Sequence, residues 1–190
     1  MMIYFGQELG ERATDAEGFS GHDGRTTIFD YWSVPSVRAW YNNGKCNTAK
    51  LTPEQRSLRK LYKQVLTLCN KEKAISRGAF FDLMYVNFEN PQFDPHRQYA
   101  YLRYTHNEIL LIAVNFGSMP ADISINIPQH ALDMLGIESD KYQAVELLSG
   151  TAEEKYLHRA IPFATQIGGH GAVVWKIKLS QKTSSLARKK

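Results

Sequence analysis

ILLIAVNF, residues 109–116, is the stretch on which the fold turns. It is a short apolar run between two turn signals: His106, Asn107 and Glu108 before it, Gly117 to Pro120 after it. Its length and β-branched content suit a central strand better than a helix. The same rhythm continues outward. QYAYLRYT (98–105) and AFFDLMYVNF (79–88) are rich in aromatic and β-branched types. In ADISINI (121–127), Ile123, Ile125 and Ile127 alternate with polar residues, as in a half-buried strand. YQAVELL (142–148), residues 160–167 and AVVWKIKL (172–179) extend the series. Trp175 shares a strand face with Val173 and Ile177, which marks it as core. Short strands at modest spacing point to a mainly β, antiparallel sandwich.

Upstream of the β body lies a helix, predicted over 52–72. Thr52 can cap it, Pro53 suits the first helical position, and Gln55 completes a capping box. Leu58, Leu61, Tyr62, Val65, Leu66 and Cys69 recur at helical spacing on one face. Residues 1–50 differ again. Ile3, Tyr4 and Phe5 read as the end of a buried strand, stopped by Gly6. A long loop with Gly10, Gly18, Gly21 and Gly24 follows, and loops of that length inside a compact domain are often functional.

The 190 residues are enough for one ordinary domain, or for one domain with an appendage from another. The 43% hydrophobic and 12% aromatic content fits a globular chain and argues against disorder. The net charge of +4 comes from Lys182, Arg188, Lys189 and Lys190; without them basic and acidic residues balance. Residues 180–190 therefore read as a disordered basic tail, solvated rather than bound to nucleic acid or a membrane. No apolar run approaches the about 20 residues needed to span a bilayer.

Most chemical motifs fail on context. Cys46 and Cys69 make neither a disulfide framework nor a zinc spacing. The six histidines show no pair at ligand spacing, and the acids of the early loop do not match a calcium loop, so no metal and no cofactor is expected. GGHG (168–171) lies between two strands, which fits a hairpin or bulge rather than a phosphate loop. Glu8 and Glu11 would share a helix face, but Gly6 and Gly10 argue for a loop and against a catalytic pair.

Two segments carry a resemblance. IYFGQELGE (Ile3 to Glu11) resembles the eighth barrel strand of family 13 glycoside hydrolases, the α-amylase family. DGRTTIFDYW (Asp23 to Trp32) resembles the Arg-containing loop that follows that strand in many bacterial members. The helix 52–72 is similar to the last barrel helix, and the β body to the family's C-terminal Greek-key sandwich. The resemblance implies three parts. Residues 1–78 would be a loop-rich remnant of a (β/α)8 barrel, 79–179 the sandwich domain, and 180–190 the tail.

It further implies that the catalytic carboxylates lie before the eighth strand, so no catalytic residue is assigned, and the chain is expected to be inactive alone. Gln7 and Glu8 become structural residues near the site. Tyr31, Trp32, Trp40 and Tyr41, with Arg25, become the candidate carbohydrate contacts, because sugar C–H faces pack on aromatic rings while hydroxyls seek polar partners. The competing reading is that these rings only pack the loop. The implied function is a non-catalytic C-terminal domain of an α-glucan-active hydrolase, with the catalytic barrel as partner. Calcium belongs to some family members but has no support in these residues. The alternative is a free-standing carbohydrate-binding β-sandwich module. Apolar surface left for the barrel would favour self-association.

Overall fold

The computed structural model describes residues 2–12 and 34–177. The tail 180–190, like Arg25, Tyr31 and Trp32, lies outside the described residues. The chain divides into two compact units, Met1–Thr67 and Leu68–Lys190.

The first unit is helical. Residues 2–4 form no strand, contrary to expectation, and Tyr4 is exposed. The chain instead enters a 3-10 turn, Gln7–Leu9, between Gly6 (φ 76°) and Gly10 (φ 66°). Both glycines are left-handed, which an L side chain adopts only with strain. A Cβ on Gly6 would also meet the Cβ of Glu11 at 2.9 Å. Helix α1 (Pro35–Tyr41) follows, with Pro35 in its first turn. Asn42 ends it in the left-handed conformation, and its amide donates to Arg38 O at 3.0 Å. Leu9, Val34 and Leu51 are the buried apolar side chains among the described residues here.

Helix α2 (Pro53–Lys71) starts as its sequence dictates. The Gln55 amide donates to Thr52 Oγ1 at 3.3 Å, and the Thr52 amide donates to Gln55 Oε1 at 3.0 Å. The capping box is complete. No residue of α2 is buried, and Leu61 on its apolar stripe is 47% exposed.

The second unit is a lopsided antiparallel sandwich. After the short helix α3 (Lys73–Ser76) come β1 (Ala79–Asp82), helix α4 (Met84–Asn87), β2 (Gln98–Thr105), β3 (Glu108–Asn115) and β4 (Ala121–Ile125). Helix α5 (Gln129–Leu135), β5 (Asp140–Glu146), β6 (Ala152–Leu157), β7 (Phe163–Ile167) and β8 (Gly171–Ile177) complete it. One sheet has the order β1-β2-β3-β8-β5-β6, and β4 pairs with β7 as a two-stranded ribbon. The last strand, β8, inserts between β3 and β5.

The run from 109 is the central strand that its composition requires, and it is buried on both faces. Ile109, Leu111 and Ala113 join Trp175, Ile177, Ile123, Ile125 and Phe163 in the main core. Leu110 and Ile112 turn the other way and pack with Val174, Ala74 and Ile75. Alternation of side chains along one strand thus serves two cores. The indole of Trp175 meets Phe163 edge-on at 6.0 Å and donates to Thr165 Oγ1 at 3.0 Å.

Two local expectations change. The strand read over 79–88 stops at Asp82, because Asp82 Oδ1 accepts the Met84 amide at 2.9 Å and turns the chain into α4. GGHG is not a hairpin, since β7 and β8 belong to different sheets. Gly169 there crosses so close to Ser118 that a Cβ would sit 2.0 Å from the Ser118 carbonyl oxygen.

Candidate functional site

In the first unit, Arg59 joins two of the candidate residues. It lies on the second turn of α2, where an exposed arginine would ordinarily face water. Its guanidinium carbon instead stands 5.0 Å from the centroid of the Trp40 ring. Its Nη1 is 3.7 Å from Glu8 Oε1. Glu8, Arg59 and Trp40 therefore form a carboxylate–guanidinium–indole stack. Such a stack orients the indole and is worth about 0.5–1 kcal/mol at an exposed site. Arg59 is not one of the apolar positions of α2, so helical periodicity gives no sign of a link to Trp40. Position i in a helix says nothing about a partner that arrives from another segment.

Tyr41, next on α1, is 55% exposed. Trp40 and Tyr41 line an open cleft of about 870 Å³ with Val37, Arg38 and Lys50. The carbonyl groups of Trp40 and Tyr41 accept the Asn47 and Cys46 amides, both at 3.0 Å, which holds the end of α1 against its following turn. Gln7 Oε1 accepts the Tyr4 amide at 3.0 Å. Glu8 and Glu11 have separate partners. Glu8 faces Arg59, while Glu11 accepts from the Ser36 hydroxyl. Neither carboxylate is set against the other as an acid–nucleophile couple would be.

In the second unit, Glu146, Glu108 and Glu72 are bonded within the fold. Glu146 is buried, and its Oε1 accepts the amides of Val174 at 2.9 Å and Leu148 at 3.1 Å, while Oε2 accepts the Ser149 amide at 2.6 Å. Burial alone would raise its pKa. The hydrogen bonds from Ser149, Val174 and Leu148 outweigh it and hold the carboxylate below its ordinary value. Lys176 Nζ lies 2.6 Å from Glu72 Oε2 and 3.1 Å from Glu108 Oε1. Glu108 Oε1 has no well-aligned hydrogen bond, so it is held by the charge of Lys176 rather than by a directed contact. Its other oxygen accepts the Ala74 amide at 3.0 Å. The neighbouring Glu108 carboxylate first, and burial second, push the Glu72 carboxyl up. Among the described residues no group of His, Cys, Asp and Glu could hold a metal ion.

No protein-family model and no curated protein matches the chain. Solved structures do. The crystal structure of AmyP in complex with maltose matches with a TM-score of 0.54 over 93% of this chain at 18% identity. AmyP in complex with maltotriose gives 0.55 over 93% at 17% identity. An Anoxybacillus α-amylase gives 0.51 over 93% at 16% identity. The chain spans about a third of each of these, 32%, 31% and 28% of their lengths. Its mainly β architecture is the fold of the α-amylase C-terminal region.

Proposed function

We propose that this chain is the non-catalytic C-terminal portion of an α-amylase-related glycoside hydrolase acting on α-glucans. The observation that carries the reading is the likeness to AmyP, which takes in 93% of the chain, the helical first unit as well as the β unit. A sandwich alone is a common fold and would say little about function. The resemblance of Ile3 to Glu11 to the end of a barrel strand adds to it, and so do the maltose and maltotriose in the AmyP structures. In this reading 1–78 belongs to the barrel, 79–179 is the sandwich domain, and the catalytic carboxylates come from sequence that the chain does not match. Its physical role is to cover apolar barrel surface. The unburied stripe of α2 supports that role, since Leu61 is 47% exposed where a covering element would bury it.

Glucan contact at Trp40 and Tyr41 belongs to the same reading. The cleft beside them and the exposed Tyr41 ring favour it. The test is a reducing-sugar assay of the purified chain on soluble starch and maltodextrin. No release above buffer is expected. Hydrolysis by a preparation free of other amylases would sink the non-catalytic reading.

A further inference from the structure

A second set of aromatic side chains lies wholly within the β unit. Phe81 on β1, Tyr85 on α4 and His130 on α5 meet at one surface. Their ring centroids are 5.4 Å apart for Phe81 and His130, 5.9 Å for Tyr85 and His130, and 6.4 Å for Phe81 and Tyr85. Tyr85 Oη and His130 Nε2 share a hydrogen bond of 2.8 Å. Tyr85 is 54% exposed, so this bond fixes a ring that packing alone would leave free. The hydroxyl stays protonated, because burial first and the Asp82 charge second push its pKa up. On the same helix as His130, Gln129 and Asp133 are joined at 2.8 Å and Met134 is exposed. Buried Ala131 and Leu132 on the same helix hold it to the core, so the patch rests on a rigid base.

Charge narrows the ligand. The chain has 23 lysines and arginines, yet none falls in 78–96 or in 104–140, the segments that build this surface. Asp82 and Asp133 are the charges nearest the rings in sequence. These segments themselves offer a phosphate, a nucleic acid or an anionic membrane no lysine or arginine. Pre-set aromatic faces beside neutral and acidic hydrogen-bonding groups suit an uncharged polyhydroxyl ligand.

We propose that Phe81, Tyr85 and His130 form a carbohydrate-binding surface of the β unit, and that its ligand is an α-glucan. The site stands on the geometry above, and the choice of α-glucan rests on the function proposed for the chain. Tyr85 supplies the stacking face, His130 holds it in place, and Gln129 and Asp133 meet sugar hydroxyls.

The test is a calorimetric titration of the whole chain with maltoheptaose and, separately, with cellohexaose. Tyr85→Ala is compared with Tyr85→Phe, which keeps the ring but drops its hydrogen bond, and with Tyr156→Ala, an exposed ring on β6 at the other edge of the sheet. Maltoheptaose binding should weaken about tenfold in Tyr85→Ala, less in Tyr85→Phe, and not in Tyr156→Ala. Each variant's thermal midpoint shows that it is folded. Maltoheptaose binding that Tyr85→Ala leaves unchanged overturns the site while the α-glucan reading stands. Cellohexaose binding that needs Tyr85, without maltoheptaose binding, upholds the surface but overturns the α-glucan assignment. Binding of neither sugar overturns the proposal.

Discussion

At the scale of single residues, the sharpest constraints are backbone contacts that no side-chain pattern announces. Gly169 passes Ser118 so closely that a Cβ would lie 2.0 Å from a carbonyl oxygen. Gly169→Ala must move one backbone away from the other and should lower stability by about 1–3 kcal/mol, read from urea unfolding. Glu146 is a second such residue. Its carboxylate accepts three backbone amides from inside the fold. Glu146→Gln should cost about 2 kcal/mol at neutral pH, because the amide group has one acceptor oxygen where the carboxylate has two. The pH dependence has a definite sign. The folded pKa of Glu146 is depressed, so its contribution is present above the unfolded value of about 4.3 and is lost as pH falls through the folded value. The stability gap between wild type and Glu146→Gln should therefore close on acidification. A gap that widens in acid would contradict this account.

At the scale of elements, helix ends and helix–sheet joints carry the argument. The Thr52–Gln55 box satisfies orphan amides at the start of α2. Thr52→Ala should cost about 1 kcal/mol, seen as a lower thermal midpoint, and Thr52→Ser should recover most of it. The joint between α3 and β2 depends on Arg103. Its guanidinium donates to Ala74 O at 3.0 Å, Ile75 O at 2.9 Å and Gly78 O at 2.6 Å. These are carbonyls at the end of a short helix, so one planar fork serves as a C-cap. Arg103→Lys keeps the charge but loses the fork. It should expose the amides of α3 to faster hydrogen exchange while leaving those of β3 protected. The edge strand β6 shows why an element can escape sequence reading. Ala152–Leu157 is AEEKYL, and only Leu157 is buried. Its charges suit an edge that must not pair with another chain, and they hide the strand from any apolar pattern.

At the scale of the whole molecule, the unburied stripe of α2 has a measurable consequence. If it is the surface meant for a barrel, the isolated chain should self-associate at high concentration. Leu61→Lys should shift it toward monomer in sedimentation velocity without loss of thermal stability, because Leu61 is already 47% exposed. A wild-type chain that stays monomeric at high concentration would count against that role. Composition and periodicity alone were enough for the mainly β class, the capped helix α2, the central strand at 109–116 and the inward Trp175. Each of these depends on local spacing, and local spacing is written in the sequence. The helices α1 and α5, the charged strand β6 and the turn at Asp82 were not legible, because each is short and stabilised by contacts from elsewhere. The candidate site divides the same way. Trp40 and Tyr41 stand out as aromatic residues in a loop-rich segment. That Arg59 would lie over Trp40 and bind Glu8, and that Phe81, Tyr85 and His130 would meet from three elements, was decided only by the tertiary structure. Contacts between residues far apart in sequence depend on how strands and helices are placed in space, and no one-dimensional period encodes that placement.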